Sequence, residues 1–211
     1  MAKTKRKRKK KKNKILVFPI IVILLLVSGL IMCFYFDKVV EKAKDLSPNK
    51  FTYPTKYEEY VVKYSEKFDI DPRFVFAIIN TESHFDPNAT SNVGARGLMQ
   101  LMEEAYNWVK FRLDDTESTS FDDMYDPETN IKYGTYMLKY LYDKYDGSYQ
   151  LAAAAYHGGM GAVDGWIENG TVDPDNFDLD DVPSDVTANY IYKVTTAYNK
   201  YKELIQTNDI T

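Results

Sequence analysis

Cysteine is nearly missing from this chain of 211 residues, where Cys33 stands alone. No disulfide can form within it, so whatever folds here is held by core burial. Histidine is almost as scarce, at two residues, and a zinc site is not expected from so few ligands. No cofactor is implied by any motif. Strand alternation is also lacking: no stretch sustains an apolar period of two, while many keep the three-to-four spacing of helices. The fold class expected is therefore mainly α. Acids are absent from the start of the chain, the first being Asp37.

The acid-free stretch has two parts. Lys3 to Lys14 hold ten Lys or Arg, and Ile15 to Phe36 then run for 22 residues without a charge. At about 1.5 Å per residue that run reaches roughly 33 Å, enough to cross a hydrocarbon core of about 30 Å. The expectation is a transmembrane anchor over 15–36 with residues 1–14 as a cytoplasmic basic tail and the remainder exported, following the positive-inside bias. A cleaved signal peptide would have a shorter apolar core and a small-x-small site, and Phe34-Tyr35-Phe36-Asp37 offers none. A lipoprotein route through Cys33 would call for a small residue where Met32 stands. A nucleic-acid-binding tail is the other reading of the basic block, and the adjacent apolar run argues against it.

With the tail set aside, 17 Lys and Arg face all 31 acids, a balance of −14 for the exported part. Such a surface repels nucleic acid. It suits a polymer recognised by hydrogen bonds and stacking in a groove, as a glycan is.

Residues 37–54 are charged and punctuated by proline, as a juxtamembrane stalk would be. A domain over 55–206 follows, with 207–211 as a tail. Thr55-Lys56-Tyr57-Glu58 has the pattern of a capping box, and Tyr57, Tyr60, Val61, Tyr64 and Phe68 mark the helix after it. Asp71-Pro72 predicts a second helix start, running to about Ser83. Asn88 to Gly97 is rich in turn residues. Leu98, Leu101, Met102, Ala105, Trp108 and Val109 predict a third helix. The acid-rich run Asp114 to Asp126 lacks the spacing and central glycine of a calcium loop and is expected as a solvated surface excursion. Helices are predicted again over about Thr129 to Tyr145 and Ser148 to Tyr156, where Ala152 to Ala155 allow close contact. After a glycine-broken segment and the polar loop Asn169 to Asp181, Val186, Tyr190, Val194, Ala197, Tyr201 and Leu204 mark a last amphipathic helix.

Glu82 falls on the face carrying Phe74, Val75 and Ile78, at the C-terminal end of its helix. Desolvation on one side and the negative end of the helix dipole both favour the neutral acid there. A lone glutamate at a helix end more often turns its head into water, so position alone does not decide between the two.

The neighbourhood adds a resemblance. Glu82-Ser83-His84-Phe85-Asp86-Pro87-Asn88-Ala89, then Ser91 and Gly94-Ala95-Arg96-Gly97-Leu98-Met99-Gln100-Leu101-Met102, closely resemble the signature of the soluble-lytic-transglycosylase-like domains of glycoside hydrolase family 23. Ala154-Ala155-Tyr156-His157-Gly158 looks like that family's alanine-tyrosine-asparagine motif, Asn130, Gly134 and Leu138 fit its intervening helix, and Tyr190-Ile191 fit its closing helix. The similarity extends over roughly Tyr60 to Tyr198.

The resemblance implies a lysozyme-like helical domain with a cleft, binding peptidoglycan glycan strands. It implies Glu82 as the catalytic acid and then base, cleaving between N-acetylmuramic acid and N-acetylglucosamine with formation of a 1,6-anhydro sugar. Ser83, Met99, Gln100, Tyr156, His157 and Tyr190 match family positions that line the cleft or bind substrate. Departures stand out as well: His157 replaces the usual asparagine, Gly158 a common alanine, and Glu103 the usual proline. Val186 also lies where a glutamate often precedes Thr187. Two other readings share the scaffold. A muramidase would need water held by a second carboxylate, for which Asp86 is the nearest candidate, and a peptidoglycan-binding or assembly protein would need no acid at all. The expected location is the cell membrane, single-pass, with the domain facing the wall; the resemblance names no protein partner from the wall or secretion machinery.

Overall fold

In a computed structural model, residues 52–114 and 118–205 are described, and contacts divide the chain after Phe51. The spanning helix expected over 15–36, the basic tail before it and the tail 207–211 lie outside the described residues. Among the described residues no helix is long and apolar enough to cross a membrane.

Seven α-helices are found in the described residues: α1 Glu58–Phe68, α2 Pro72–Ser83, α3 Glu103–Arg112, α4 Pro127–Lys144, α5 Tyr149–Gly158, α6 Met160–Glu168 and α7 Asp185–Leu204. Two short 3-10 turns, Phe121–Tyr125 and Leu179–Asp181, complete the set. A mainly α architecture is what the periodicity called for.

Helix starts follow local chemistry. Asp71 accepts a hydrogen bond from the Arg73 backbone N–H at 2.9 Å with Pro72 in the first turn of α2, and Asp126 does the same for Thr129 at the start of α4. Asp71 is held further by Arg73, by a forked pair of contacts, and by the Tyr198 hydroxyl at 2.8 Å. These donors keep its carboxyl below the usual range although burial opposes them.

Several expectations are corrected. Thr55 does not cap α1: Tyr57 occupies the cap, left-handed at φ 61°, with no side-chain cap bond. Tyr53 packs edge-on against Tyr201 at 5.7 Å and the Tyr201 hydroxyl reaches the Pro54 carbonyl, so the expected stalk meets the domain at its last residues. The third helix begins at Glu103, not at Leu98, because Gly97 and Gln100 both adopt positive φ and turn the chain there. The described acids of the run Asp114 to Asp126 stay at the surface, as expected, but Phe121–Tyr125 is anchored by Met124, which is fully buried. The glycine-broken segment forms α6, with the break confined to Gly159 at φ 83°, which ends α5 and begins α6.

The core explains why the site is where it is. Phe74 through Ile79 are all buried, so α2 is enclosed on every side rather than along one stripe. Helix α5 packs against α4, α6 and α7, and its buried run Ala152–Ala155 leaves room for that by having almost no side-chain bulk. A second, smaller cluster gathers Leu101, Tyr106, Val109, Met124 and Tyr133. Met137 and Tyr156 pack against both clusters and mark the junction between them.

Candidate active site

Helix α2 delivers Glu82 to that junction from one of the best-buried segments of the molecule. The carboxyl is mostly buried, and the Tyr190 hydroxyl on α7 donates to its Oε1 at 2.6 Å. Burial pushes the Glu82 carboxyl up from 4.5 to about 7, and the Tyr190 hydrogen bond opposes the rise without cancelling it. With Oε1 engaged as an acceptor, the proton of the neutral acid sits on Oε2. The site thus holds a carboxylic acid about half protonated at neutral pH, as a group that first gives and then takes a proton requires.

Two tyrosines frame it. Tyr156 and Tyr190 are both driven well above their ordinary phenol range, by burial first and by the Glu82 charge second. They are donors at any working pH. Tyr190 spends its proton on Glu82, while Tyr156 gives its proton to the Met99 carbonyl at 2.8 Å. His157 lies on the outer side: its ring stacks on Tyr190 with centroids 4.5 Å apart, and its Nδ1 is 3.3 Å from the Thr187 hydroxyl. Partial burial lowers the His157 pKa, which favours the neutral imidazole.

The loop after α2 is pinned rather than free. Asn130, fully buried at the start of α4, accepts from Met99 N at 2.8 Å and donates to the carbonyls of Arg96 at 3.0 Å and Met124 at 2.8 Å. Gly97 is what lets that amide in: at φ 74° a Cβ there would lie 2.0 Å from the Met124 carbonyl and 2.4 Å from Asn130 Nδ2. Arg96 packs over Phe121 and pairs with Asp122 at 2.6 Å, tying the loop to the 3-10 turn.

The predicted substrate residues fall into different places. Ser83 donates to the Leu98 carbonyl at 2.7 Å, bonding the end of α2 to the loop. Gln100 directs its amide nitrogen to the Gly97 and Ala89 carbonyls, so its amide oxygen is the atom a ligand can meet. Met99 lies in the core, fully buried, with its sulfur where a Cβ on Gly134 would come within 2.4 Å. Its carbonyl, through Tyr156, is its link to the site. Tyr190 and Tyr156 are brought to Glu82, and His157 stacks on the outer face of Tyr190.

Residue chemistry missed in the sequence includes Thr187, buried at 3% exposure and facing His157, and the support given by Asn130. An Asn at the first turn of a helix reads only as a capping residue, so no pattern announced its three bonds. Asp86 turns back to accept from the Asn88 N–H at 2.9 Å. A separate cleft of about 520 Å³ lies at the opposite end of α2, between Asp71, Lys139 and Tyr149, and contains none of these residues. Among the described residues no three His, Cys, Asp or Glu side chains are grouped to hold a metal ion.

Comparison with known proteins gives this arrangement a context. The family model described as Transglycosylase SLT domain matches residues 59–176. The soluble lytic murein transglycosylase of Salmonella typhimurium is 35% identical over 153 residues, covering 71% of this chain and 23% of that protein. Its Escherichia coli counterpart is 32% identical over 151 residues, with the same coverage of 71% and 23%. The chain therefore spans about a quarter of the length of these relatives. The crystal structure of the 70 kDa soluble lytic transglycosylase of Escherichia coli superposes with a TM-score of 0.71 at 26% identity, over 80% of this chain and 28% of that one. A complex of the 70 kDa enzyme with bulgecin A gives a TM-score of 0.71 at 28% identity, over 77% of this chain and 26% of that one. The mainly helical fold is the lysozyme-like fold of these enzymes, and with the family model matching more than half its length, the chain belongs to the Transglycosylase SLT domain family.

Proposed function

We propose that this protein is a peptidoglycan lytic transglycosylase that cleaves the β-1,4 bond between N-acetylmuramic acid and N-acetylglucosamine and leaves a 1,6-anhydro sugar. The observation that carries the proposal is the half-buried Glu82 carboxyl, raised to about 7 and held by Tyr190, in a chain whose named relatives are lytic murein transglycosylases. Protonated Glu82 gives its Oε2 proton to the glycosidic oxygen as the bond from that oxygen to the anomeric carbon breaks. The resulting carboxylate takes the proton of the muramic acid six-position hydroxyl, whose oxygen closes onto the anomeric carbon. Glu82 returns to its starting state, and no water is consumed. One carboxyl group serves both steps, so no second carboxylate at a fixed distance is needed, unlike ordinary glycosidases.

Tyr190 holds Glu82 in place, Tyr156 fixes the loop carbonyl beside it, and Gln100 and His157 present polar atoms to the glycan. A muramidase on this scaffold would need a base to hold water, and Asp86 is occupied with the Asn88 backbone instead.

The proposal extends to location. The basic block and the uncharged run of 22 residues anchor the chain in the cytoplasmic membrane, with the domain facing the wall. That part rests on sequence alone, and the named relatives are soluble enzymes. Fractionation of cells tests it: the full chain stays with membranes through a high-salt wash, and release by salt would reduce the segment to a basic surface tether.

Glu82→Gln tests the chemistry. The variant keeps glycan binding and loses turnover by about 10² to 10⁴, the usual worth of acid/base catalysis. Unchanged turnover would remove Glu82 from the reaction.

A further inference from the structure

We infer that His157 is a positioning residue for Glu82: its imidazole is the outer wall that presses Tyr190 onto the carboxyl and keeps water out. The inference rests on the reading of Glu82 as the acid and goes beyond it, since it gives a role to a side chain that touches Glu82 only through another ring.

Four observations support it. The His157 and Tyr190 rings are stacked at 4.5 Å with 26° between their planes, close enough for face-to-face contact. His157 is exposed while Tyr190 is only 7% exposed, so the imidazole is a layer between the tyrosine and solvent. Its Nδ1 meets the hydroxyl of Thr187, itself buried and one helical turn before Tyr190 on α7, which fixes the ring at a second point. Tyr190 then reaches Glu82 at 2.6 Å. The ionisable side chains that feel the Glu82 charge there are Tyr156 on α5 and Tyr190 on α7, both neutral phenols.

The physics gives a direction. Burial is the larger influence on Glu82 and the Tyr190 hydrogen bond the smaller, opposing one. Removing the wall admits water, which stabilises the carboxylate, and frees Tyr190, which destabilises it. Because burial is the larger of the two influences on Glu82, loss of the ring is expected to move its titration down. An aromatic replacement keeps the wall without the Thr187 contact, and a small one does not.

The test reads Glu82 directly and needs no turnover. The full-length protein, carrying ¹³C-labelled glutamate, is titrated by NMR as wild type, His157→Ala and His157→Phe, with Glu82→Gln identifying the resonance. We expect the wild type and His157→Phe to titrate together and His157→Ala to titrate about one pH unit lower. Release of anhydro-muropeptides at about pH 7.5 by His157→Ala then falls by at least about eightfold, the change in protonated fraction that one unit produces, with any lost glycan contact adding to it. An unshifted Glu82 in His157→Ala overturns the inference, as does a His157→Phe that shifts as far as His157→Ala. If the titrations behave as expected while no variant releases product, the positioning role stands and the proposed reaction falls.

Discussion

Replacing Glu82 with glutamine removes a charge that the fold disfavours, and the consequence for stability can be worked out. The folded-state carboxyl sits at about 7 against 4.5 for an ordinary glutamate. Between those values the folded protein keeps a proton that the unfolded chain has lost, so the stability of the wild type falls as pH rises through that window. At lower pH the acid is neutral in both states and contributes no pH-dependent term. Above the window the full difference is present, about 3 kcal/mol at roughly 1.4 kcal/mol per pH unit. The glutamine variant has no such term. The stability gap between variant and wild type therefore shifts in favour of the variant by about 3 kcal/mol from about pH 4 to about pH 8.5, or about 6 to 12 °C in Tm for a domain of this size. Other titrating groups are common to both proteins and cancel. Urea unfolding followed by the fluorescence of Trp108 and Trp166, at a series of pH values, measures the gap. A gap independent of pH would refute the burial of Glu82 as described.

Further outcomes follow from neighbouring contacts. Tyr190→Phe removes the hydrogen bond that lowers the Glu82 pKa, so the titration moves above about 7, opposite in sign to His157→Ala, and NMR of the labelled glutamate reads it. Gly97→Ala adds a Cβ 2.0 Å from a backbone carbonyl at a positive φ, and should cost about 2 to 5 kcal/mol in urea unfolding. Asn130→Leu leaves Met99 N and two buried carbonyls without their side-chain partner and should cost about 3 to 5 kcal/mol, with a lowered Tm as the readout. In the wild type, kcat/KM for glycan cleavage should decline as pH rises above about 7, since the acid step needs the protonated form.

Much of this was legible in residue order, and the failures are instructive. Asp71-Pro72 predicted the start of α2 correctly because a capping acid before proline satisfies orphan N–H groups by itself. The same pair at Asp126-Pro127 starts α4, yet the apolar stripe draws attention to Ile131 and places the start late. The Thr55 box failed because Tyr53 and Pro54 are committed to Tyr201, a contact 147 residues away in sequence. Leu98 and Leu101 have helical spacing but are buried in a turn set by Gly97, Gln100 and Asn130, where tertiary hydrogen bonds override periodicity. At the site, the face of α2 bearing Phe74 and Ile78 pointed to a desolvated Glu82. Its hydrogen-bond partner Tyr190, and the Thr187 that meets His157, come from a helix more than one hundred residues on, and no local pattern links them to Glu82.

The most direct test of the account is mass spectrometry of the muropeptides that the purified protein releases from peptidoglycan, run beside Glu82→Gln. The account predicts products one water lighter than hydrolysis would give, absent with the variant. Products bearing a free reducing end would contradict it and point to a hydrolase that holds water at this site.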